Sequence, residues 1–443
     1  MKKLAALIGL GVFLCSPAAP AQVSEEEIQA LRAQIETLTR RLDELERQSR
    51  QPAPSDGQVP AAVQAAPTAA TAGTLAQTVD DKTVDDKIDR AVAERVDERL
   101  AGLSWAERMR WNGDFRYRYE NSQTEGQEDR NRNRIRARAH LEADVSPTVQ
   151  VGFGLATGGD DPVSANQTLG GGGSTKDVGL DLAYFAWSGL ADTQVVGGKF
   201  ENFLVRPAKS GLLWDGDWRP EGLGLAWSEG SFFAQGLGTW LEGDSRNGTE
   251  FAWVVQAGMN LTIGDDGKLK FGAGYNQIDS AGATPLFGDP DDFYGNSYVP
   301  DPVSGDLVFA YDYHQIEAFA EYSSRLGGQP LTLFADYVIN TDADANDSGY
   351  LFGARYGAAK APGSWDVGWF YKKLEADATL GLLTDSDFGG GGTDAKGHVF
   401  SGTYGFHANW NVQLTWFLTE TDLASGNPKD VDTVMLDLNF KYK

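Results

Sequence analysis

The chain has 443 residues, of which 41% are hydrophobic and 23% are charged, and its formal net charge is -25 at pH 7. This length suffices for several ordinary domains or for one large barrel. The acidic balance argues against nucleic-acid binding, which favours basic surfaces. Outside the extreme N-terminus no run of about 18 apolar residues occurs, so the sequence predicts no transmembrane helix in the mature protein.

Residues 1–21 have the pattern of a secretory signal peptide. Two lysines follow the initiating methionine, an apolar stretch runs from Leu4 to Leu14, and the segment ends in Ala19-Pro20-Ala21. Cleavage after Ala21 would remove Cys15, the one cysteine of the chain, so the mature protein would enter an oxidising compartment without disulfides. A lipoprotein acylated at Cys15 is the weaker alternative, because bulky Leu14 precedes it.

Residues 22–50 are predicted to form a periplasmic coiled coil. Apolar residues recur at alternating spacings of three and four, with charged residues off the seam. The alternative is one amphipathic helix packed on a domain, but the flanks are polar and no domain lies nearby in sequence. We therefore expect self-association, as a dimer in isolation or as a homotrimer if the main body is trimeric. The seam residues are Ile28, Leu31, Ile35, Leu38, Leu42 and Leu45.

Two segments separate the coiled coil from the main body. Residues 51–83 are rich in Ala, Pro, Thr and Gln, a composition that cannot bury a core and predicts an extended linker. Residues 84–104 carry a second, less regular helical stripe and are predicted to form an amphipathic helix. The main body then occupies residues 105–443.

From Arg110 onward the hydrophobic period changes from helical to two. In residues 110–120 the odd positions are aromatic or glycine, whereas the even positions are charged or polar. This alternation recurs to the end of the chain in 16 segments of roughly 9–14 residues, the length that crosses a bilayer when tilted. The segments begin near residues 110, 133, 149, 178, 193, 221, 231, 250, 268, 308, 331, 349, 365, 397, 411 and 432.

The alternation assigns each residue to a face of the sheet. Because an open strand edge in lipid would leave backbone groups unpaired, such strands must close. We predict an all-β, 16-stranded antiparallel outer-membrane barrel, with 14–18 strands possible. The residues expected to face lipid include Phe115, Tyr117, Ile135, Trp253, Phe271, Trp369 and Leu438, and those expected to face the lumen include Arg116, Arg136, Gln256, Lys270, Asp336 and Asp437.

The predicted connections alternate between short and long. Those after segments two, four, six and eight are short, whereas residues 158–177, 278–306 and 375–395 follow odd segments and are long and acidic or glycine-rich. Short turns at one end of the barrel and long loops at the other are typical of outer-membrane barrels.

Several motifs resemble the putative porin family of Gram-negative bacteria and, more distantly, the phosphate-selective porins. They are Trp111–Tyr119 at the start of the barrel, the arginine-rich run 132–138, Val196–Phe200 and Leu213–Gly222. With the signal peptide and the coiled coil, the resemblance spans essentially the whole mature chain. It implies an outer-membrane channel for passive diffusion of small hydrophilic solutes, surrounded by outer-membrane lipid and lipopolysaccharide.

The inward face of the first two segments is strongly basic. Since these segments form a hairpin, their guanidinium groups are expected to form one patch that lowers the cost of moving an anion through the lumen. The alternative is that these arginines pair with inward carboxylates or with a loop folded inside. We expect a weak to moderate anion preference, because many acidic residues lie in loops where salt screens them. The patch comprises Arg110, Arg116, Arg118, Arg134, Arg136 and Arg138.

The connection 201–219, after the fifth segment, is a candidate constriction loop. The resemblance to 16-stranded porins implies that this third extracellular loop folds into the channel. Acidic groups on it would then face the basic wall and create a transverse field, although an ordinary surface loop is the alternative. The candidate residues on it are Arg206, Lys209, Asp215, Asp217 and Arg219.

No catalytic residue, cofactor site or metal site is predicted. The four histidines are scattered, and no Gly-rich phosphate loop, zinc spacing or nucleophile elbow occurs. The run 342–349 resembles a calcium loop at three positions but has Asp347 at the sixth position and Gly353 at the twelfth, so we expect an acidic surface turn.

Three other functions were weighed against a passive channel. An outer-membrane enzyme is disfavoured because His140 and His314 fall within strands rather than at a rim. A plugged active transporter would need about 22 strands. A structural anchor that contacts peptidoglycan through its coiled coil is the main alternative.

Overall fold

The computed structural model describes residues 108–243, 250–285 and 292–442. The signal peptide, the coiled-coil seam, the linker and the amphipathic helix, all predicted within residues 1–104, lie outside the described residues. Their boundaries therefore stay predictions.

The described residues form nineteen strands, sixteen of which make up one closed antiparallel barrel. The barrel strands are β1 (Met109–Thr124), β2 (Arg130–Ser146), β3 (Val149–Thr157), β5 (Val178–Leu190), β6 (Thr193–Lys199), β7 (Glu221–Glu229), β8 (Phe232–Glu242), β9 (Glu250–Ile263), β10 (Gly267–Ile278), β13 (Tyr313–Leu326), β14 (Gln329–Asn340), β15 (Ser348–Gly357), β16 (Trp365–Leu374), β17 (Ala395–His407), β18 (Trp410–Thr421) and β19 (Lys429–Tyr442). Of the other three, β4 (Gln167–Thr168) pairs with β2, and β11 (Tyr298–Pro300) pairs with β12 (Leu307–Phe309).

The barrel closes between its first and last strands. β1 pairs with β2 on one side and with β19 on the other, so Arg116 lies opposite Arg136 on β2 and opposite Asn439 on β19. Closure satisfies every strand edge, as an apolar surrounding requires. The predicted 16-stranded antiparallel barrel is confirmed, and the strands begin within a few residues of the predicted positions.

The period-two pattern places apolar side chains outside and polar ones inside. On the outer surface Trp111 is 60% exposed, and Phe115 packs against Phe440 of the neighbouring strand, with tilted rings whose centroids are 6.1 Å apart. On the inner surface Gln256 and Asp437 are only 2% and 4% exposed. A soluble protein would reverse this arrangement, so the outer wall matches a lipid environment.

Turn length differs between the two ends of the barrel. Two-residue turns such as 147–148, 191–192 and 327–328 join strands at one end, whereas the longest loops lie at the other. This is the predicted arrangement of turns and loops.

The largest hydrophobic core lies inside the barrel, where the long loops pack. Residues 200–220 (the 200–220 loop) contribute Leu212, Leu213 and Trp214, each at most 2% exposed. Residues 375–394 (the 375–394 loop) contribute Leu380 and Leu383 to the same cluster. The two loops therefore fold into the barrel as one packed unit.

Among the described residues, no helix has the length and apolar character needed to cross a membrane.

Candidate functional site: the narrowed lumen

The 200–220 loop crosses the lumen and is fixed to the wall along its length. It leaves and rejoins the wall at a neck where the Phe200 amide donates to the Pro220 carbonyl at 3.0 Å. Its wall contacts are the Val205 amide to Gln256 Oε1 (2.8 Å), the Ala208 amide to Glu321 Oε2 (2.6 Å), Ser210 Oγ to Asp336 Oδ2 (3.3 Å) and Lys372 Nζ to the Gly211 carbonyl (2.8 Å).

Gly211 permits the closest approach between the two inward loops. A Cβ atom at this position would lie 2.7 Å from Cβ of Asp385, a distance that side chains do not adopt. The Lys372 ammonium, fully buried beside it, also lies over the ring of Phe388 at 4.7 Å from the centroid. Only glycine fits between the wall and the 375–394 loop at this point.

Asp217 attaches the other side of the 200–220 loop to the basic wall. Its carboxylate lies 3.1 Å from Arg136 and 3.2 Å from Arg138, and both guanidinium groups also contact Asp114, at 3.0 and 2.8 Å. Burial raises the pKa of Asp217, but the charges of Arg136 and Arg138 outweigh burial and hold that pKa at about 2. The loop carboxylate is thus in direct contact with the wall rather than across an open gap from it.

Of two other predicted loop residues, Asp215 is buried and Arg206 is half-buried within the loop. Asp215 accepts hydrogen bonds from the amides of Asp217 (2.6 Å) and Ser386 (3.1 Å), and burial and the neighbouring Asp385 carboxylate raise its pKa well above the ordinary value. Arg206 donates to the Trp214 carbonyl at 3.2 Å, and burial lowers its pKa. Both residues shape the loop rather than face open water.

The remaining two predicted loop residues point in different directions. Arg219 lies 3.2 Å from Asp181 on β5. The exposed Lys209 lines the open part of the lumen, and its backbone adopts the left-handed region, with φ of 62°. Of the five predicted constriction residues, Lys209 is the cation that reaches open water without a carboxylate partner among the described residues.

Five of the six arginines in the predicted basic patch form ion pairs. Arg116 is the exception: its Nη2 donates to Asn166 Oδ1 at 2.6 Å, and its buried Nε has no partner among the described residues. The others pair as Arg110 with Asp144 (2.6 Å), Arg118 with Asp437 and Asp387 (both 2.8 Å), Arg134 with Glu120 (3.5 Å), and Arg136 and Arg138 with Asp114 and Asp217.

The sequence reasoning missed the inward position of the 375–394 loop. Its Phe388 is fully buried against Val399, Phe417 and Met435 on the inner faces of β17, β18 and β19. Burial raises the pKa of Asp387, but the adjacent Arg118 guanidinium outweighs this and lowers it. The apolar side chains of this otherwise acidic, glycine-rich loop could have indicated its inward position, because exposing them on a solvated surface would be unfavourable.

The two loops leave an open cavity of about 480 Å³ beside the basic wall. Neutral polar side chains on β17 and β18, among them Ser401, Asn411, Gln413 and Thr415, also line it. Seven cations against four carboxylates give the lining a formal excess of three positive charges. The charged lining residues are Arg116, Arg118, Arg136, Arg138, Lys209, Arg355 and Lys441, with Asp114, Asp385, Asp387 and Asp437.

Within the described ranges, no group of three or more His, Cys, Asp or Glu side chains could hold a metal ion. In the acidic run 342–349, Asp342 lies instead 2.8 Å from Nδ1 of His314.

A closed barrel with a polar, charged lumen narrowed by inward-folded loops defines an outer-membrane diffusion channel. The chain belongs to the putative porin family, whose sequence model matches residues 122–285 and 303–442. It is an outer-membrane porin that forms a passive channel for small hydrophilic solutes. Family and fold point to a channel rather than to an enzyme.

Comparison with solved structures gives similar chains. The chain is similar to OprB from Pseudomonas putida at high pH, with a TM-score of 0.51 and 13% identity over 77% of this chain and 96% of that chain. It is also similar to OmpF from Salmonella typhi in complex with daunomycin, with a TM-score of 0.47 and 13% identity over 75% and 97% of the respective chains. At this identity the likeness to OprB shows the fold alone. Comparison with curated protein sequences gives no significant match.

Proposed function

We propose that the channel conducts anions in preference to cations, through the cavity beside the basic wall. The observation that supports this is the formal excess of three positive charges among the residues that line the cavity. Charges that line a narrow lumen act at short range and in a lower effective dielectric than charges on solvated loops. The net charge of -25 therefore does not decide the selectivity, because salt screens exposed loop carboxylates beyond about 8–10 Å.

The paired arginines contribute less than their number suggests. Arg136 and Arg138 share Asp114 and Asp217, so much of their charge is offset locally. Arg116 and the unpaired cations that line the same cavity carry the larger part of the field that an ion there experiences. Selectivity is accordingly weak to moderate.

The reversal potential across planar bilayers in a potassium chloride gradient tests this proposal. We expect the wild-type channel to give a potential of the sign that chloride preference requires. Replacing Arg116, Arg136 and Arg138 together with Ser should shift that potential towards cations. A wild-type channel that prefers cations, with a triple variant that behaves identically, would assign the basic wall a purely structural role.

We further propose that the protein is a homotrimer without catalytic activity, with its N-terminal segment in the periplasm. The heptad seam from Ile28 to Leu45 supports the oligomer, because a seam of this spacing buries its apolar residues against further copies of the same helix. The outer wall supports embedding in outer-membrane lipid and lipopolysaccharide, since its exposed side chains are aromatic and aliphatic. If residues 22–50 do not hold the oligomer together, we propose that this coiled coil contacts peptidoglycan instead.

A further inference from the structure

We propose that the lumen contains a saturable binding site for small organic anions that carry two or more carboxylates, formed by Arg116, Lys209 and Arg355. This inference rests on the proposed anion preference and adds a site where the solute pauses. The site consists of those cations in the cavity that are available to a solute, whereas carboxylates of the protein neutralise the others.

The charge pairing in the cavity selects these three residues. Arg118 is held by two carboxylates at 2.8 Å, and Arg136 and Arg138 by two more. Within the described parts of the chain, neither Arg116 nor Arg355 has a carboxylate within salt-bridge distance. The exposed Lys209 is likewise unpaired there. An entering anion can therefore pair with these groups without displacing an internal carboxylate.

The three cations come from separate walls of one cavity. Arg116 lies on β1, Arg355 on β15, and Lys209 on the 200–220 loop between them, and all three line the same space of about 480 Å³. That volume is in the range of small-molecule sites. Lys441, also unpaired in the described part of the chain, lies near the C-terminal end of β19 and adds positive charge to the same cavity.

The Arg116 guanidinium and the backbone of Lys209 are positioned by their surroundings before a solute arrives. One Nη atom of Arg116 is occupied by Asn166 Oδ1 at 2.6 Å, while its buried Nε lacks a partner. Lys209 follows the buried Pro207, and its amide donates to the Arg206 carbonyl at 2.9 Å, which fixes the loop in its tight turn. Preorganised donors lower the ordering cost of binding.

The placement favours anions with several carboxylates. A guanidinium binds a carboxylate through parallel, charge-assisted hydrogen bonds, whereas an ammonium acts as a point charge. A monocarboxylate can use one wall at a time, but a longer anion with a carboxylate at each end can reach two walls at once. The neutral Gln413 and Ser401 can accept or donate hydrogen bonds to hydroxyl groups of the same solute.

Block of single-channel chloride current tests the site. We expect citrate and succinate to reduce the current with a saturable dependence on concentration, and acetate at equal ionic strength to have no saturable effect. Inorganic phosphate distinguishes a carboxylate site from a general multivalent-anion site, and block by phosphate as strong as by citrate would overturn the assignment to carboxylates. In the double variant R116S/R355S the half-blocking citrate concentration should rise at least tenfold, because two charge-assisted contacts are lost.

The control variant is R325S, which removes the same charge from the end of β13, where Arg325 is exposed and bonds the Gly328 carbonyl. Citrate should block the R325S channel at the same concentration as the wild-type channel. Insertion and conduction of each variant report a folded barrel, so a variant that fails to insert is replaced by R116K/R355S, for which a smaller rise is expected. Citrate block that is unchanged in the double variant, or absent from a conducting wild-type channel, overturns the site. The reversal potential measured without citrate in the same bilayers reports separately on the proposed anion preference.

Discussion

Replacing Asp217 with Asn should loosen the 200–220 loop, because this carboxylate joins the loop to Arg136 and Arg138. The two guanidinium groups hold its pKa at about 2, nearly two units below the ordinary 3.8. One unit corresponds to about 1.36 kcal/mol, so the ionised carboxylate stabilises the docked loop by roughly 2–3 kcal/mol. Its loss leaves two partly buried guanidinium groups with Asp114 as their one remaining carboxylate, which adds to the cost.

Hydrogen exchange of the loop amides in detergent micelles measures this effect. A loss of about 2–3 kcal/mol predicts that amides in residues 212–218 exchange on the order of 30- to 150-fold faster, while amides in β1 and β19 keep their protection. Asp177→Asn is the matched control, since Asp177 is an exposed loop carboxylate of equal charge. If D217N and D177N both exchange like the wild type, the ion pairs do not hold the loop in the lumen.

Acidification and truncation give two further tests. A carboxylate with a depressed pKa contributes stability above its unfolded value, lost as the pH falls through the folded value, so Asp217 should hold the loop down to about pH 3. The raised pKa of Asp215 has the opposite effect on loop stability, because protonation of this carboxyl on acidification removes an unfavourable buried charge. The free energy of loop opening, obtained from hydrogen exchange corrected for intrinsic rates, should therefore not fall between pH 7 and pH 5. Deleting residues 22–83 should leave the barrel folded but lower the oligomer's resistance to dissociation, as measured by native mass spectrometry, and an equally stable oligomer would assign the coiled coil to another contact such as peptidoglycan.

The barrel could be predicted from the sequence because water and lipid act on every residue of each strand. A strand with lipid on one face and a polar lumen on the other must alternate, and the alternation fixes both the strand and its register. Trp111 and Phe115 outside, with Arg116 and Arg118 inside, follow directly from this rule. Arg355 obeys the same parity, and considering the inward charges of all strands would have identified it.

The inner architecture could not be predicted because distant residues determine it. Arg118 and Asp387 are 269 positions apart in the chain, and no local pattern indicates their contact at 2.8 Å. The same holds for Lys372 Nζ and the Gly211 carbonyl, 161 positions apart. Alternation shows which side chains point inward, but the pairing of those side chains with particular loop residues depends on how the loops fold.

Ions should pass through the lumen beside the basic wall, and cysteine accessibility tests this path most directly. Gln413 and Leu414 are neighbours on β18: Gln413 lines the cavity, and Leu414 is 50% exposed on the outer surface. Cys15, within the predicted signal peptide, is the one native cysteine, so Gln413→Cys and Leu414→Cys provide matched single-cysteine variants. A negatively charged methanethiosulfonate reagent should reduce the current in steps through Q413C and leave the current through L414C unchanged. Unaffected current through a demonstrably labelled Q413C, or stepwise reduction in L414C, would contradict a conducting path along this wall.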